Sequence, residues 1–214
     1  MPEPIQDHRR YLPHYQEPGQ IISITWRLEG DLPQHIKATL QEMKLLLAKM
    51  NTKPVKAISS ELYEQYRNTI SRYDDQLGRH KSFGLDLCKP ELALILTTAF
   101  HFYDAKLYHL HAFCVMPNHV HLLLQPLIQS TGDFAHLSDI MCRIKGYTAK
   151  QIIATGIQTQ KLWRADYFDR FIRNEKDYYF TVEYILTNPI KAGLAKTQRD
   201  WPFSFLRDCQ TKKI

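Results

Sequence analysis

The sequence predicts an α+β fold, a small antiparallel sheet with helices packed on it, rather than a doubly wound parallel sheet. Two observations carry this expectation. Residues 106–115 and 119–125 are strand-like runs separated only by the turn string Met116-Pro117-Asn118, so they pair as an antiparallel hairpin. Segments of helical period lie before and after that hairpin, and one further strand precedes them all. Helices gathered on one face of the sheet are the simplest arrangement.

The first 18 residues are polar and proline-containing and read as an extended arm, with His8-Arg9-Arg10-Tyr11 as its one notable cluster. Residues 19–28 read as a strand, because Ile22, Ile24, Trp26 and Leu28 alternate with Ser23, Thr25 and Arg27. Leu32-Pro33 opens a helix to about Met50, with Ile36, Leu40, Met43, Leu46 and Leu47 as its apolar side. A second helix runs from about Ser60 to Leu77, and Pro90 is well placed as the first residue of a third, reaching Tyr103. The third helix's stripe is Leu92, Ile95, Leu96, Ala99 and Phe102. After the hairpin, residues 137–153 form the clearest amphipathic helix, with Leu137, Ile140, Met141, Ile144, Tyr147 and Ile152 on one side. Residues 162–171 are either a short strand or an irregular aromatic segment. A last helix covers 175–188, stopped by Pro189 and Gly193. The whole chain, 1–214, reads as one domain in which 33–103 is a helical elaboration of the first crossover.

With 44% hydrophobic residues and 12% aromatics the chain can bury a sizeable core. No apolar run approaches the roughly 18 residues of a membrane span, and the N-terminal stretch lacks an apolar signal core. Cys88, Cys114, Cys142 and Cys209 are scattered and form no C-x-x-C pair, which suits a reducing compartment. A cytoplasmic location is the expectation. The net charge of +6 is unevenly placed: residues 143–214 hold 14 of the 28 basic and 7 of the 22 acidic side chains. That third is at +7 and the remainder at −1. With Trp163, Tyr167, Phe168, Phe171 and Trp201 interleaved, such a surplus suits either a nucleic-acid backbone or a solvated basic surface.

Chemistry concentrates in Met116-Pro117-Asn118-His119-Val120-His121. On a strand, His119 and His121 share a face and can present ring nitrogens to one divalent metal. A second such pair, His109 and His111, is better read as a polar strand face. Several hydrolase designs are absent: there is no H-E-x-x-H, no G-x-S-x-G and no glycine-rich phosphate loop. Near the end of the last helix, Tyr184 and Asn188 stand four apart and share a face. A phenol beside a metal is the nucleophile that remains.

These strings, with Leu162-Trp163, Tyr167-Phe168-Asp169-Arg170, Ile172-Arg173-Asn174-Glu175 and Tyr184-Ile185-Leu186-Thr187-Asn188-Pro189, resemble the REP-associated tyrosine transposases, relatives of the single-tyrosine HUH transposases of the IS200 type. The opening Arg9-Arg10-Tyr11-Leu12-Pro13, the middle Lys145-Gly146-Tyr147-Thr148 and the closing Trp201-Pro202-Phe203-Ser204 fit as well. Residues 33–90 are the least diagnostic. The resemblance implies a ferredoxin- or RRM-like HUH fold with N- and C-terminal extensions. It implies that His119 and His121 ligate Mg²⁺ or Mn²⁺, that Asn188 completes the coordination, and that Tyr184 is the nucleophile. The substrate implied is single-stranded DNA carrying a hairpin, cut and rejoined through a 5′-phosphotyrosine, by a monomer or a dimer. Lys145, Lys150, Arg164, Arg170, Arg173 and Lys191 are candidate phosphate contacts, each singly more often a solvated charge, and Arg9 and Arg10 fit either a DNA-reading arm or disordered terminal charge. Tyr167 is placed either to stack on a base or to pack in the core. Two other functions fit the same residues: a DNA-binding protein without catalysis, and a metal-dependent nuclease that uses water.

Overall fold

The computed structural model describes residues 5–7, 14–16, 19–51, 58–80 and 84–207. Within the stretch expected to be an extended arm, β1 (Ile5–Asp7) and β2 (His14–Gln16) pair antiparallel with each other. The main sheet contains β3 (Ile22–Arg27), β4 (Tyr108–Val115), β5 (His119–Pro126), β6 (Phe168–Phe171) and β7 (Ser204–Leu206). Its five strands run in the order β6-β3-β5-β4-β7, every neighbouring pair antiparallel. The α+β expectation holds. The strand at 204–206 was not foreseen; three residues at a sheet edge are too short to show an alternation.

Among the described residues, five α-helices accompany the sheet: α1 (Gln34–Asn51), α2 (Ser60–Arg79), α3 (Pro90–Tyr103), α4 (Leu137–Ala154) and α5 (Glu175–Lys191). Local chemistry starts most of them where the sequence said. Ser59 accepts the Leu62 N–H at 3.2 Å to cap α2, Pro90 opens α3, and Asn174 accepts the Asp177 N–H at 2.9 Å to cap α5. Helix α5 ends later than expected. Pro189 lies inside its last turn rather than stopping it, and Gly193, at φ +73°, turns the chain out after Ala192.

Helices cover both faces of the sheet, not one. On the first face Ile22, Ile24, Trp26, Val120, Leu122 and Leu124 pack against Leu92, Leu96 and Phe100 of α3 and Ile140 and Ile144 of α4. On the second, Ala112, Cys114 and Leu123 meet Val182 and Ile185 of α5. Burial on both sides explains why β5 is an almost unbroken apolar run around its histidines. Two stripe residues were misassigned. Phe102 is exposed, with the Lys106 ammonium 3.5 Å from its ring centroid, while Phe100 is inside. In α4, Tyr147 is exposed and Thr148 takes the inner position.

Thr148 holds a specific bond: the Trp163 indole N–H donates to its hydroxyl at 3.0 Å, and that hydroxyl donates to the Ile144 carbonyl at 2.7 Å. Thr148→Val, which keeps the shape and removes the acceptor, strands a buried indole donor and costs about 1–3 kcal/mol. Thermal unfolding of the variant checks this.

Within 33–103, α3 packs in the main core. Ile36, Met43, Tyr66, Tyr73 and Leu77 give the α1–α2 pair a core of its own. The pair docks on the second sheet face, where Tyr73 meets Phe168 edge-on at 5.5 Å. Docking brings the last two turns of α2 against the start of β5.

Candidate active site

Cross-strand register builds the first half of the site. His121 lies opposite Thr25 and His119 opposite Arg27, all on the second face of the sheet. Both imidazoles are fully buried, and their Nε2 atoms converge to 3.0 Å. Each remaining ring nitrogen has its own partner. His119 Nδ1 is 2.6 Å from the Asn118 side-chain oxygen, and Asn118 Nδ2 donates to the Leu77 and His80 carbonyls at 2.9 and 2.8 Å. Those two donations fix the amide's orientation, so the Asn118 oxygen accepts from His119 Nδ1–H and the lone pair of His119 sits on Nε2. His121 Nδ1 is 2.9 Å from the Thr25 hydroxyl.

The donor set suits a divalent cation. Two nitrogens each roughly 2.1 Å from an octahedral cation, at right angles to one another, stand about 3.0 Å apart. Burial pushes both imidazoles down, His121 to about 3 and His119 well below its ordinary value, so they are neutral and in the ligating form. Partners on the far ring nitrogens, here Asn118 and Thr25, are what orients metal-binding histidines.

Helix α5 supplies the second half. Tyr184 is half-buried, its ring edge-on to His121 with centroids 6.0 Å apart. Its hydroxyl donates to Asp74 Oδ2 at 3.1 Å, and the same carboxylate oxygen lies 3.9 Å from His121 Nδ1. Asp74 belongs to α2, is 1% exposed, and its Oδ1 has no hydrogen-bond partner among the described residues. Burial raises the Asp74 carboxyl to about 8, opposed by the bond from Tyr184. Burial, with the charges of Asp74 and Asp75, holds the Tyr184 phenol well above its ordinary range. One turn on, buried Asn188 donates to the Tyr184 carbonyl at 2.8 Å and remains within the helix despite Pro189. An imidazole pair and a phenol are thus brought together from one chain, with the Asn188 amide one turn beyond the phenol.

A family model described as Transposase IS200 like matches residues 78–188, just over half of the sequence. The chain belongs to the IS200-like transposase family. Among curated relatives, it is 29% identical over 108 residues to a "Putative REP-associated tyrosine transposase" of Haemophilus influenzae, covering 47% of this chain and 61% of that one. It is 33% identical over 102 residues to a "REP-associated tyrosine transposase" of Escherichia coli K12, covering 47% and 56%. The chain therefore spans little more than half the length of these relatives. A solved structure described as a REP-associated tyrosine transposase bound to a REP hairpin aligns over 94% of this chain and 82% of its own, at 20% identity and a TM-score of 0.49.

Within this IS200-like transposase, the family match takes in Asn118, His119, His121, Tyr184 and Asn188. Thr25 and Asp74 lie outside it, and sequence reasoning missed both, together with the orienting role of Asn118. A signal for Asp74 existed: it falls four after Ile70 and three before Leu77, so an acid interrupts the apolar stripe of α2. Thr25 follows from pairing register alone.

The candidate phosphate contacts divide. Arg9 and Arg10 lie outside the described residues. Lys150, Arg164, Arg173 and Lys191 are exposed, Arg164 paired with Glu29 at 2.9 Å and Arg173 lying over the Tyr63 ring at 4.4 Å. Lys145 donates to the Arg164 and Ala165 carbonyls, both at 2.8 Å. Tyr167 is 8% exposed and packs in the main core. Arg170 points inward, its guanidinium bonded to Asp177 at 2.9 and 3.0 Å and to Tyr63 at 2.8 Å. Its geometry is that of a buried clamp between β6, α2 and α5. His111 is tied to Tyr178 at 3.2 Å, and burial lowers it to about 4.

No described helix is long and apolar enough to cross a membrane.

Proposed function

We propose that this IS200-like transposase cuts and rejoins single-stranded DNA bearing a hairpin, with Tyr184 as nucleophile. The observation that carries the reading is the approach of the Tyr184 hydroxyl and the His121 imidazole to one carboxylate oxygen, at 3.1 and 3.9 Å within one chain. REP-type palindromes, which the relatives' names point to, fold into hairpins when single-stranded and supply the substrate class. DNA of this kind is met in the cytoplasm.

A buried phenol attacks poorly unless its proton has somewhere to go. Here the hydroxyl already points its proton at Asp74 Oδ2, and the ionised form of that carboxyl, populated as the pH rises toward about 8, takes the proton as Tyr184 Oη bonds to phosphorus. One P–O bond forms and one breaks, giving a 5′-phosphotyrosine and a free 3′-hydroxyl. Because the ester is exchanged and not hydrolysed, the 3′-hydroxyl of another strand end can reverse the step. His119 and His121, with Asn188, would hold Mg²⁺ or Mn²⁺, which when bound neutralises charge on the scissile phosphate. Since the imidazoles and phenol come from the same chain, one copy carries a complete set. Exposed Lys150, Arg164, Arg173 and Lys191 serve as the backbone contacts.

Incubation of end-labelled hairpin DNA with the protein and Mn²⁺ tests this. A covalent protein–DNA band is the expected result. Cleavage without that band means that water attacks, and a mobility shift alone means a binding protein. For the metal, Asn118→Ala frees the His119 ring and lowers Mn²⁺ affinity by roughly 10–100-fold, the usual effect of losing a histidine's orienting partner. Isothermal titration with Mn²⁺ measures it.

A further inference from the structure

We propose that the surface formed by Arg67, Phe180, Tyr184 and Lys191 is the path of the unpaired strand past the nucleophile, with Phe180 the stacking platform for a base next to the scissile phosphate. The inference rests on the strand-cutting reading of Tyr184 and adds the residues that hold the strand there.

Phe180 lies one helical turn before Tyr184 on α5 and is 42% exposed. A lone exposed phenylalanine needs no explanation, but this one is not alone. Its ring is nearly parallel to that of Tyr184, at 14° with centroids 6.4 Å apart. The Arg67 guanidinium, from α2, lies over Phe180 at 4.6 Å, and the Lys191 ammonium lies over Tyr184 at 4.3 Å. The order across the surface is therefore cation, ring, ring, cation, and it contains the proposed nucleophile.

That alternation matches single-stranded nucleic acid, whose bases offer flat π faces and whose phosphates lie between them. A duplex does not fit, because its base faces are already covered by its own stack. An acidic protein partner would satisfy Arg67 and Lys191 but leaves two nearly parallel rings unexplained. Arg67 has one described ion pair, to Glu64 at 3.6 Å and three residues away on the same helix. Such a partly exposed pair holds the guanidinium weakly, so it can turn to a phosphate. Helix α2 thus walls the strand path with Arg67 and meets the nucleophile's proton with Asp74. That gives the helical elaboration a part in the site.

Phe180→Leu, Phe180→Trp and the unaltered protein are compared by fluorescence anisotropy with a short stem-free oligonucleotide of mixed sequence. In a second set, 2-aminopurine replaces single bases, and its quenching reports stacking directly. Leucine keeps the apolar bulk and the fold but has no π face; tryptophan keeps the face. The expected result is roughly tenfold weaker binding for Phe180→Leu, the size of one lost base–aromatic stack. Phe180→Trp retains both affinity and quenching. Equal affinity and equal quenching in Phe180→Leu overturns the proposal, even if the Tyr184 adduct forms normally. Phe180-dependent binding without any adduct upholds the strand path and removes the strand-transfer reading instead.

Discussion

Tyr184→Phe eliminates the covalent protein–DNA adduct and lowers strand cleavage on the order of 10⁴-fold or more, as expected when a nucleophile itself is removed. The ring stays, so its packing against His121 and its place beside Phe180 survive, and hairpin DNA still binds. Only the oxygen that donates to Asp74 is lost. Removing that donor leaves the buried Asp74 oxygen unpaired and costs about 1–3 kcal/mol of stability, too little to explain the lost activity by unfolding. Asp74→Ala is the informative companion. It leaves the phenol in place without its acceptor and lowers the cleavage rate by roughly 10²–10⁴-fold, the range for a lost proton acceptor. Asp74→Asn keeps a hydrogen-bond acceptor at the position, so the affinity for DNA is retained while the rate falls. Single-turnover kinetics on a labelled hairpin, with the adduct counted on denaturing gels, separates the three variants. Undiminished cleavage by Tyr184→Phe would sink the assignment of the nucleophile.

Asp177→Ala destabilises the protein by about 3–5 kcal/mol, the cost of leaving a buried charge without its partner. Asp177 is 7% exposed and accepts from both Arg170 and Tyr63, as well as from the Arg173 backbone N–H at 3.1 Å. Arg170 sits almost as deep, its side chain 9% exposed, and Tyr63 also carries its hydroxyl to the Phe171 carbonyl at 3.2 Å. Three elements are fastened at this point: β6 through Arg170, α2 through Tyr63 and α5 through Asp177. A loss of that size is a large share of the ~5–15 kcal/mol that stabilises a typical domain. It lowers the melting temperature on the order of 10 °C for a chain of this length. Replacing the pair together, Asp177→Leu with Arg170→Met, recovers most of the loss, because an apolar pair needs no desolvated partner. Differential scanning calorimetry on the single and double variants decides it. A melting point unmoved by Asp177→Ala would mean that the clamp carries no stability.

Much of the fold was legible because its signals are local. The Met116-Pro117-Asn118 turn between two apolar runs requires a hairpin, Pro90 and Asn174 mark helix starts, and strand alternation puts His119 and His121 on one face. The arginine at 170 shows where local reading stops. Its neighbours Phe168 and Phe171 suggest an exposed basic and aromatic segment, and nothing nearby announces that Asp177 and Tyr63 enclose it. The same holds for Pro189, which reads as a helix stop. Packing of α5 against the sheet through Val182 and Ile185 keeps the last turn helical around it.

By itself, the sequence determined the α+β class, the paired imidazoles, and a tyrosine with an asparagine one turn on, since each depends on residues within a few positions of one another. Only the tertiary structure decided that both sheet faces are covered, that Asp74 holds the phenol, and that Arg170 is a clamp. Asp74 and Tyr184 are separated by 110 residues along the chain. No periodicity or spacing encodes such a pair; it exists because α2 and α5 must bury their apolar sides on the same face of the sheet.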